Sequence, residues 1–386
     1  MSNKDTGDAV TESSSRAQGS GSDPGPPRIV KLYDVVRTAH LERVRGGAAT
    51  TILHRFQRYD FDKELASTVD LRAAGVLGAF CFGLTNDVDV IEINEPLVAR
   101  AAPRALAIMT ANRIRAAVLR TSSARVVSYA IANKDPRIVA NALPMKSRWK
   151  WRLEALLIPA VWRHLDRLVF GTSHSYDLYR SWFPDSRRWP THCTIDALPV
   201  ARIAGRGDAT RARSLIFVGD FSARKGFDKV LSAWPRVREA VPDASLVLLG
   251  KGVGVNDALH LASCDDRVRV EVDPARPRIF EEMSAAKVLI LPSQPTKLWR
   301  EQVGLPIVEG LSMGCVIVTT DETGLAQWLS TRGHWVVAES GNVSAIAQAT
   351  VAALMQERSP RSVVQDLPKQ DGREAAEDWM FEAGDQ

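Results

Sequence analysis

Cysteine is scarce in this sequence. Four occur in 386 residues, Cys81, Cys193, Cys264 and Cys315, with no CxxC pair and no zinc-type spacing. That spread excludes a disulfide framework and a cysteine-built metal centre, and it fits a reducing compartment. Three of the four sit among apolar or small residues and are expected to be inert core thiols. Long hydrophobic runs are missing as well. No stretch of 18 apolar residues occurs, so no membrane-spanning helix is expected. The first 27 residues, rich in Ser, Gly, Pro and Asp, hold no apolar stretch of the signal-peptide kind and read as a disordered segment. A cytoplasmic location is the expectation. A dinucleotide fingerprint is also absent, because no GxGxxG follows the first strand of either half. "GKGVG" at 250–254 is only superficially similar, and no helix of the needed length is expected directly after it.

The rest is the composition of a soluble globular protein, 45% hydrophobic and 25% charged, at a length that suggests two domains. The net charge of +5 hides an asymmetry. Residues 101–190 carry 16 Lys plus Arg against 5 Asp plus Glu, a local +11, which leaves −6 for the remainder. Such a stretch suits phosphate, an anionic membrane or nucleic acid. The plain alternative is an Arg-rich solvated helix surface. No nucleic-acid-binding module accompanies it, so nucleic acid is set aside. Its centre, "KSRWKWRLEALLIPAVWRHL", reads as one long helix kinked at Pro159. Trp149, Lys150 and Trp151 are its candidates for peripheral contact with an anionic membrane face, whereas Leu156 and Leu157 are expected in the core.

Strand-like and helix-like segments alternate, as in parallel α/β sheets. In the first half, "RIVKLYDVV", "DVDVIEINEP", "RVVSYAI" and "DRLVFGTS" read as strands, and "RVRGGAATTILHRFQR" as a Gly-Gly turn leading into a helix. The pattern loosens near 201–212 and restarts cleanly with "SLIFVGD", "ASLVLLGKG", "RVRVEVD", "KVLILPS" and "CVIVTTD". The expected organisation is a disordered segment at 1–27, a first Rossmann-like domain at 28–200, a linker at 201–212 and a second Rossmann-like domain at 213–358. A tail at 359–386 follows, where Trp379, Met380 and Phe381 suggest a helix docking back on the body. Two doubly wound sheets facing each other leave a cleft at their carboxyl strand ends, the usual ligand position.

Two segments there carry chemistry. Strand "SLIFVGD" ends at Gly219-Asp220 and runs into Arg224, Lys225 and Gly226. Cations in a glycine-bearing loop suit a diphosphate, although "RKG" alone is also an ordinary surface sequence. "REQVGLPIVEGLSMG" reads as a loop bearing Glu301, a glycine at 304, and a helix with Pro306 in its first turn and Glu309 about one turn in. The helix start points N–H groups into the cleft. Glu309 could accept two hydroxyls of a vicinal diol, though a glutamate near a helix start is favoured by the dipole in any case. Asp87-Val88-Asp89 matches the DxD of metal-dependent transferases but precedes an apolar strand, and three-letter matches arise often by chance.

In this order and at these spacings, Gly219, Lys225-Gly226, Glu301 and Glu309 around Gly304, and "GLSMGCVIVTTDETG" resemble the retaining glycosyltransferases of family four. The resemblance is clear over about 211–355 and weaker over 28–200. It implies the GT-B fold and transfer of a sugar, with retention, from a nucleoside-diphosphate-sugar co-substrate, without a metal or other cofactor. It implies that Lys225, with Arg224, meets the donor diphosphate and that Glu309 holds the donor ribose. Glu301 would lie by the transferred sugar, with Val303, Gly304 and Leu305 offering backbone N–H groups, and Gly46 and Gly47 would face the diphosphate across the cleft. The acceptor is left open among sugar, lipid-linked and small-molecule compounds. Two positions depart from the family. Asp220 stands where an arginine is common, and "SYAIANKDP" offers Tyr129, Asn133 and Lys134 where a histidine is common. A nucleotide-sugar-binding protein without turnover is therefore the rival reading. An epimerase is a third, and no base for it can be located.

Overall fold

The computed structural model describes residues 27–44, 49–58, 61–184, 188–203 and 211–382. Strands β1 (Ile29–Val36), β2 (Thr50–Gln57), β3 (Asp70–Ala73), β4 (Val90–Ile93), β5 (Arg125–Ala130), β6 (Arg167–Phe170) and β7 (Thr191–Thr194) form one sheet in the order β3-β2-β1-β4-β5-β6-β7. Strands β8 (Ser214–Asp220), β9 (Ser245–Lys251), β10 (Val268–Val272), β11 (Val288–Leu291), β12 (Val316–Thr320) and β13 (Trp335–Val337) form a second, ordered β10-β9-β8-β11-β12-β13. Every pairing is parallel. The central strands β4, β11 and β12 are buried along their whole length. That explains the unbroken apolar or β-branched runs of β11 and β12, and of β4 apart from its buried Glu92, because helices cover both faces of a parallel sheet. In each sheet the strand order reverses once, between β1 and β4 and between β8 and β11, and the crevice opens at the carboxyl ends beside those points.

Four local expectations are corrected. Residues 50–57 are a strand, not a helix. Thr50, Thr51 and Ile52 are β-branched, and the segment pairs with β1 from Ile29↔Thr50 to Val36↔Gln57. The basic segment is two helices, Met145–Ala155 and Ile158–Arg163. The chain breaks at Leu156-Leu157, and Pro159 sits in the second helix's first turn, where it costs no hydrogen bond. On the first of these helices Trp151 packs against the core while Leu156 is exposed, the reverse of the expectation. A ten-residue helix, Val255–Cys264, does open after Gly254, yet the glycines are spaced two apart and do not make the dinucleotide turn. Finally, Cys81 and Cys264 are exposed and Cys193 half-buried. Cys315 is fully buried, and burial pushes its thiol up to about 11.

After the second sheet the chain returns to the first. Helix Gly372–Phe381, capped by the Asp371 carboxylate on the N–H groups of Arg373 and Glu374, buries Ala376 and Met380 against Ile29, Val90, Val127 and Val169. Its Arg373 donates to Glu92 and lies 4.2 Å from the centre of the Tyr129 ring. Its Glu377 sits 2.9 Å from Lys31 Nζ.

His334 shows how deep the second core is. The buried ring accepts the Ile317 N–H on Nδ1 at 3.0 Å. Burial, aided by the Arg358 cation, lowers its pKa to about 3. The unfolded chain therefore takes up a proton below about 6.5 that the folded chain refuses, so stability falls as pH drops from 6.5 towards 3. The contribution lost by pH 4 is roughly 3 kcal/mol. Unfolding of His334→Asn against wild type at pH 7 and pH 4.5 checks this. The variant is expected to lose less stability on acidification, and an equal loss refutes the assignment.

Candidate active site

The loop after β8 is shaped by two constraints. Ser222 to Gly226 makes a short 3₁₀ turn, Ala223–Lys225, closed by Gly226 at φ +70°. A Cβ at Gly226 would lie 1.9 Å from the Pro292 carbonyl oxygen. Only glycine permits this approach, and it brings Arg224 and Lys225 against the loop that follows β11. Gln294 N–H donates to the Arg224 carbonyl at 2.9 Å, tying the two loops at the switch point.

There Lys225 Nζ donates to Glu301 Oε2, and the two side chains are only 12% and 9% exposed. The same carboxylate oxygen accepts from Ser293 Oγ at 3.1 Å. Ser293 is buried, and its carbonyl accepts from Thr320 Oγ1 at 2.7 Å, which fixes the loop to β12. Trp299 lies beside the cations, with Arg224 5.0 Å and Lys225 5.2 Å from its ring centre. Arg224 also reaches Asp220 at 3.5 Å.

Beyond Glu301, Gly304 takes φ +85° and starts helix Leu305–Ser312, with Pro306 in the first turn. The N–H groups of Val303, Gly304 and Leu305 stand at the dipole-positive end of this helix. Glu309 is further along it. Burial raises its pKa, opposed by Arg276, whose guanidinium donates to Oε1 at 2.7 Å, and by Arg202. Arg276 is 64% exposed and Glu309 12%, so the arginine is the partner free to move aside. Gly219 lies near the end of β8, opposite Gly250.

The first domain reaches into this loop. Asn133 Nδ2 donates to the carbonyls of Glu301 and, at 3.2 Å, Glu322. Lys134 Nζ donates to the Thr296 carbonyl. Both follow β5 directly. Glu95, at the end of β4, accepts the N–H groups of Ile131 and Ala132 at 3.1 Å each and so orders that loop. Burial pushes the Glu95 carboxyl up to about 7. Tyr129 lies instead under Arg373.

The structure thus brings Lys225, Glu301 and Arg224 together and sets Glu309 on the adjoining helix with its own partner. Gly46 and Gly47 lie outside the described residues. Asp87 and Asp89 both bind Arg28 at the amino-terminal edge of the first sheet, remote from the strand carboxyl ends. Ser293, Trp299 and Arg276 were not singled out from sequence. A serine directly after the strand "KVLILP" was the available signal for the first, and an isolated Trp or Arg carries none.

Residues 212–356 match the family model described as glycosyl transferases group 1. Among curated proteins, a GDP-mannose:cellobiosyl-diphosphopolyprenol alpha-mannosyltransferase of Xanthomonas oryzae pv. oryzae (strain PXO99A) is 22% identical over 186 residues. That is 47% of each chain, so the present chain spans about half the length of the curated relatives it matches. Among solved structures, WaaG, a glycosyltransferase involved in lipopolysaccharide biosynthesis, aligns over 92% of this chain and 100% of its own, with TM-score 0.57 and 14% identity. The lipopolysaccharide outer core galactosyltransferase WaaB aligns over 92% and 99%, with TM-score 0.61 and 9% identity. At these identities the structural likeness shows the fold, a GT-B pair of Rossmann-like sheets.

Proposed function

We propose that this chain, whose residues 212–356 form a group 1 glycosyltransferase domain, transfers a sugar with retention from a nucleoside diphosphate to a lipid-linked acceptor. The observation that carries the donor side is the buried Lys225–Glu301 pair where the β8 and β11 loops meet, beside the helix start at Gly304. Charge grows on the diphosphate as the glycosidic bond breaks. Lys225, Arg224 and the N–H groups at Val303–Leu305 form a preorganised cationic wall for it. Glu301, held by Ser293 and Lys225, lies by the transferred sugar. Glu309 accepts the ribose hydroxyls once Arg276 swings outward. The departing phosphate takes the acceptor's proton on the face it leaves, and no protein nucleophile or metal is assigned. The lipid-linked acceptor is supported by the name of the Xanthomonas relative and by the basic first domain. The site of action is then the cytoplasmic membrane face.

Asp220 favours a second reading. Its contact with Arg224 offsets charge that the diphosphate would otherwise meet, as expected of a protein that binds nucleotide sugars without turnover. One experiment addresses both. Thermal unfolding is followed with UDP, GDP, ADP and their sugar conjugates, GDP-mannose included, for wild type and Glu309→Ala. A midpoint raised by one nucleotide in wild type and not in the variant is expected. Slow hydrolysis of the matching sugar nucleotide separates enzyme from binder. No shift with any nucleotide overturns the donor site.

A further inference from the structure

Arg224, Lys225, Arg276 and Arg300 of the second domain each have a carboxylate partner. Lys225 meets Glu301, Arg224 meets Asp220 at 3.5 Å, Arg276 meets Glu309 at 2.7 Å and Arg300 meets Glu322 at 2.8 Å. Paired in this way they bring the candidate site no net charge, although charge grows on a diphosphate as it departs. The helix start at Gly304 supplies a partial charge only. Lys134 of the first domain differs. It is half-buried just past β5, and its Nζ donates to the Thr296 carbonyl of the second domain. Among the described residues no carboxylate pairs with it. Asp135, next in the chain, lies 2.7 Å from Arg137 and caps helix Pro136–Asn141. Glu322, which meets the neighbouring Asn133 through its carbonyl, has its carboxylate on Arg300.

We propose that Lys134 is a phosphate-binding residue that the first domain supplies to the donor diphosphate, an inference that rests on the donor site proposed above. The position fits. Thr296 and Trp299 close a tight turn, with the Thr296 N–H on the Trp299 carbonyl and the Trp299 N–H on Thr296 Oγ1, both at 2.9 Å. Trp299 is the ring beside which Arg224 and Lys225 lie, so Lys134 reaches the turn that seats those two cations. Asn133, one residue before it, holds the Glu301 carbonyl. Glu95 orders the loop that carries both, through the N–H groups of Ile131 and Ala132. An ammonium has three donors, and the Thr296 carbonyl uses one, which leaves two for an oxyanion. A latch between the domains would need only an uncharged N–H donor. A lysine adds net charge to a site whose other cations are already matched, and the group there with unmet charge is the diphosphate. Asp220 offsets Arg224 on the donor side, and Lys134 makes up that charge from across the cleft.

The test is calorimetric titration of the full chain with whichever of UDP, GDP and ADP it binds, and with the matching nucleoside monophosphate. Lys134→Gln is expected to weaken the diphosphate roughly tenfold or more, the cost of one charge-assisted hydrogen bond, and the monophosphate by less than about twofold. Lys134→Arg should keep most of the affinity, because the charge remains. Lys297→Gln, which removes an exposed cation from the same loop, should move neither nucleotide by more than about twofold. Glutamine at 134 still has an N–H for the Thr296 carbonyl, and unfolding midpoints without nucleotide verify that each variant folds. Equal weakening of both nucleotides overturns the inference, because Lys134 would then act only by holding the domains together. So does an unweakened diphosphate, or a loss in Lys297→Gln as large as that in Lys134→Gln, which would mark diffuse charge rather than contact. Wild type that binds no nucleotide would overturn the donor reading and this inference together. Wild-type binding with no selective loss in Lys134→Gln overturns this inference alone.

Discussion

Lys225→Ala is expected to lower sugar transfer by more than about a hundredfold, the typical cost of one preorganised donor at a developing oxyanion. It should also destabilise the fold by roughly 3 kcal/mol, because Glu301 would keep its charge in a nearly dry loop with only Ser293 to bond it. These two effects separate in a second variant. Lys225→Met/Glu301→Gln removes both charges together, so no buried ion is left alone. Its unfolding free energy should recover most of the loss, while transfer stays abolished. Activity returning with stability would mean that the pair only braces the β8 and β11 loops and that the diphosphate is met elsewhere. A variant that stays unstable would mean that the pair contributes through packing rather than charge.

That experiment targets what the sequence made visible and what it left hidden. Lys225, Glu301 and Glu309 were legible because a strand, a glycine and a charged loop recur at a fixed spacing. The contact between Lys225 and Glu301 was not, because it depends on Gly226 lying against the Pro292 carbonyl, 66 residues away along the chain. The role of Asn133 was hidden for the same reason, since its partners are backbone carbonyls of another domain. The second sheet was read nearly strand by strand, its central strands being unbroken apolar runs. The first was read less well. β2 begins after two glycines, buries the polar His54 and exposes Phe56 between Arg55 and Gln57, which blurred its period. β3 and β7, each four residues long and with no fully buried residue, offered no hydrophobic pattern at all. The exposure of Met145, Trp149 and Leu153 on helix Met145–Ala155 was obscured because Trp151 and Ala155 on its other side pack against the core and made it resemble a core helix.

Arg373→Met should cost about 3–5 kcal/mol of stability at neutral pH. Lys31, Glu92, Arg373 and Glu377 form a quartet of two cations and two carboxylates beneath helix Gly372–Phe381, with Lys31 and Glu92 almost fully buried. Burial alone would raise the Glu92 carboxyl, but Arg373 beside it, and then Lys31, hold it below the usual value of 4.5. A depressed carboxylate stabilises the fold above 4.5, and the contribution disappears as pH falls through the lowered folded value. The deficit of Arg373→Met against wild type should therefore be largest at pH 7 and shrink in strong acid. Without Arg373, two carboxylates share one lysine, and the helix that returns from the second domain loses one of its polar anchors. Limited proteolysis should then gain a cut near residues 367–372 that wild type resists. Arg373→Met/Glu92→Gln leaves Lys31 and Glu377 as a balanced pair 2.9 Å apart and should regain much of the loss. A double variant no more stable than the single one would mean that Arg373 contributes through its packing and hydrogen bonds rather than through charge balance.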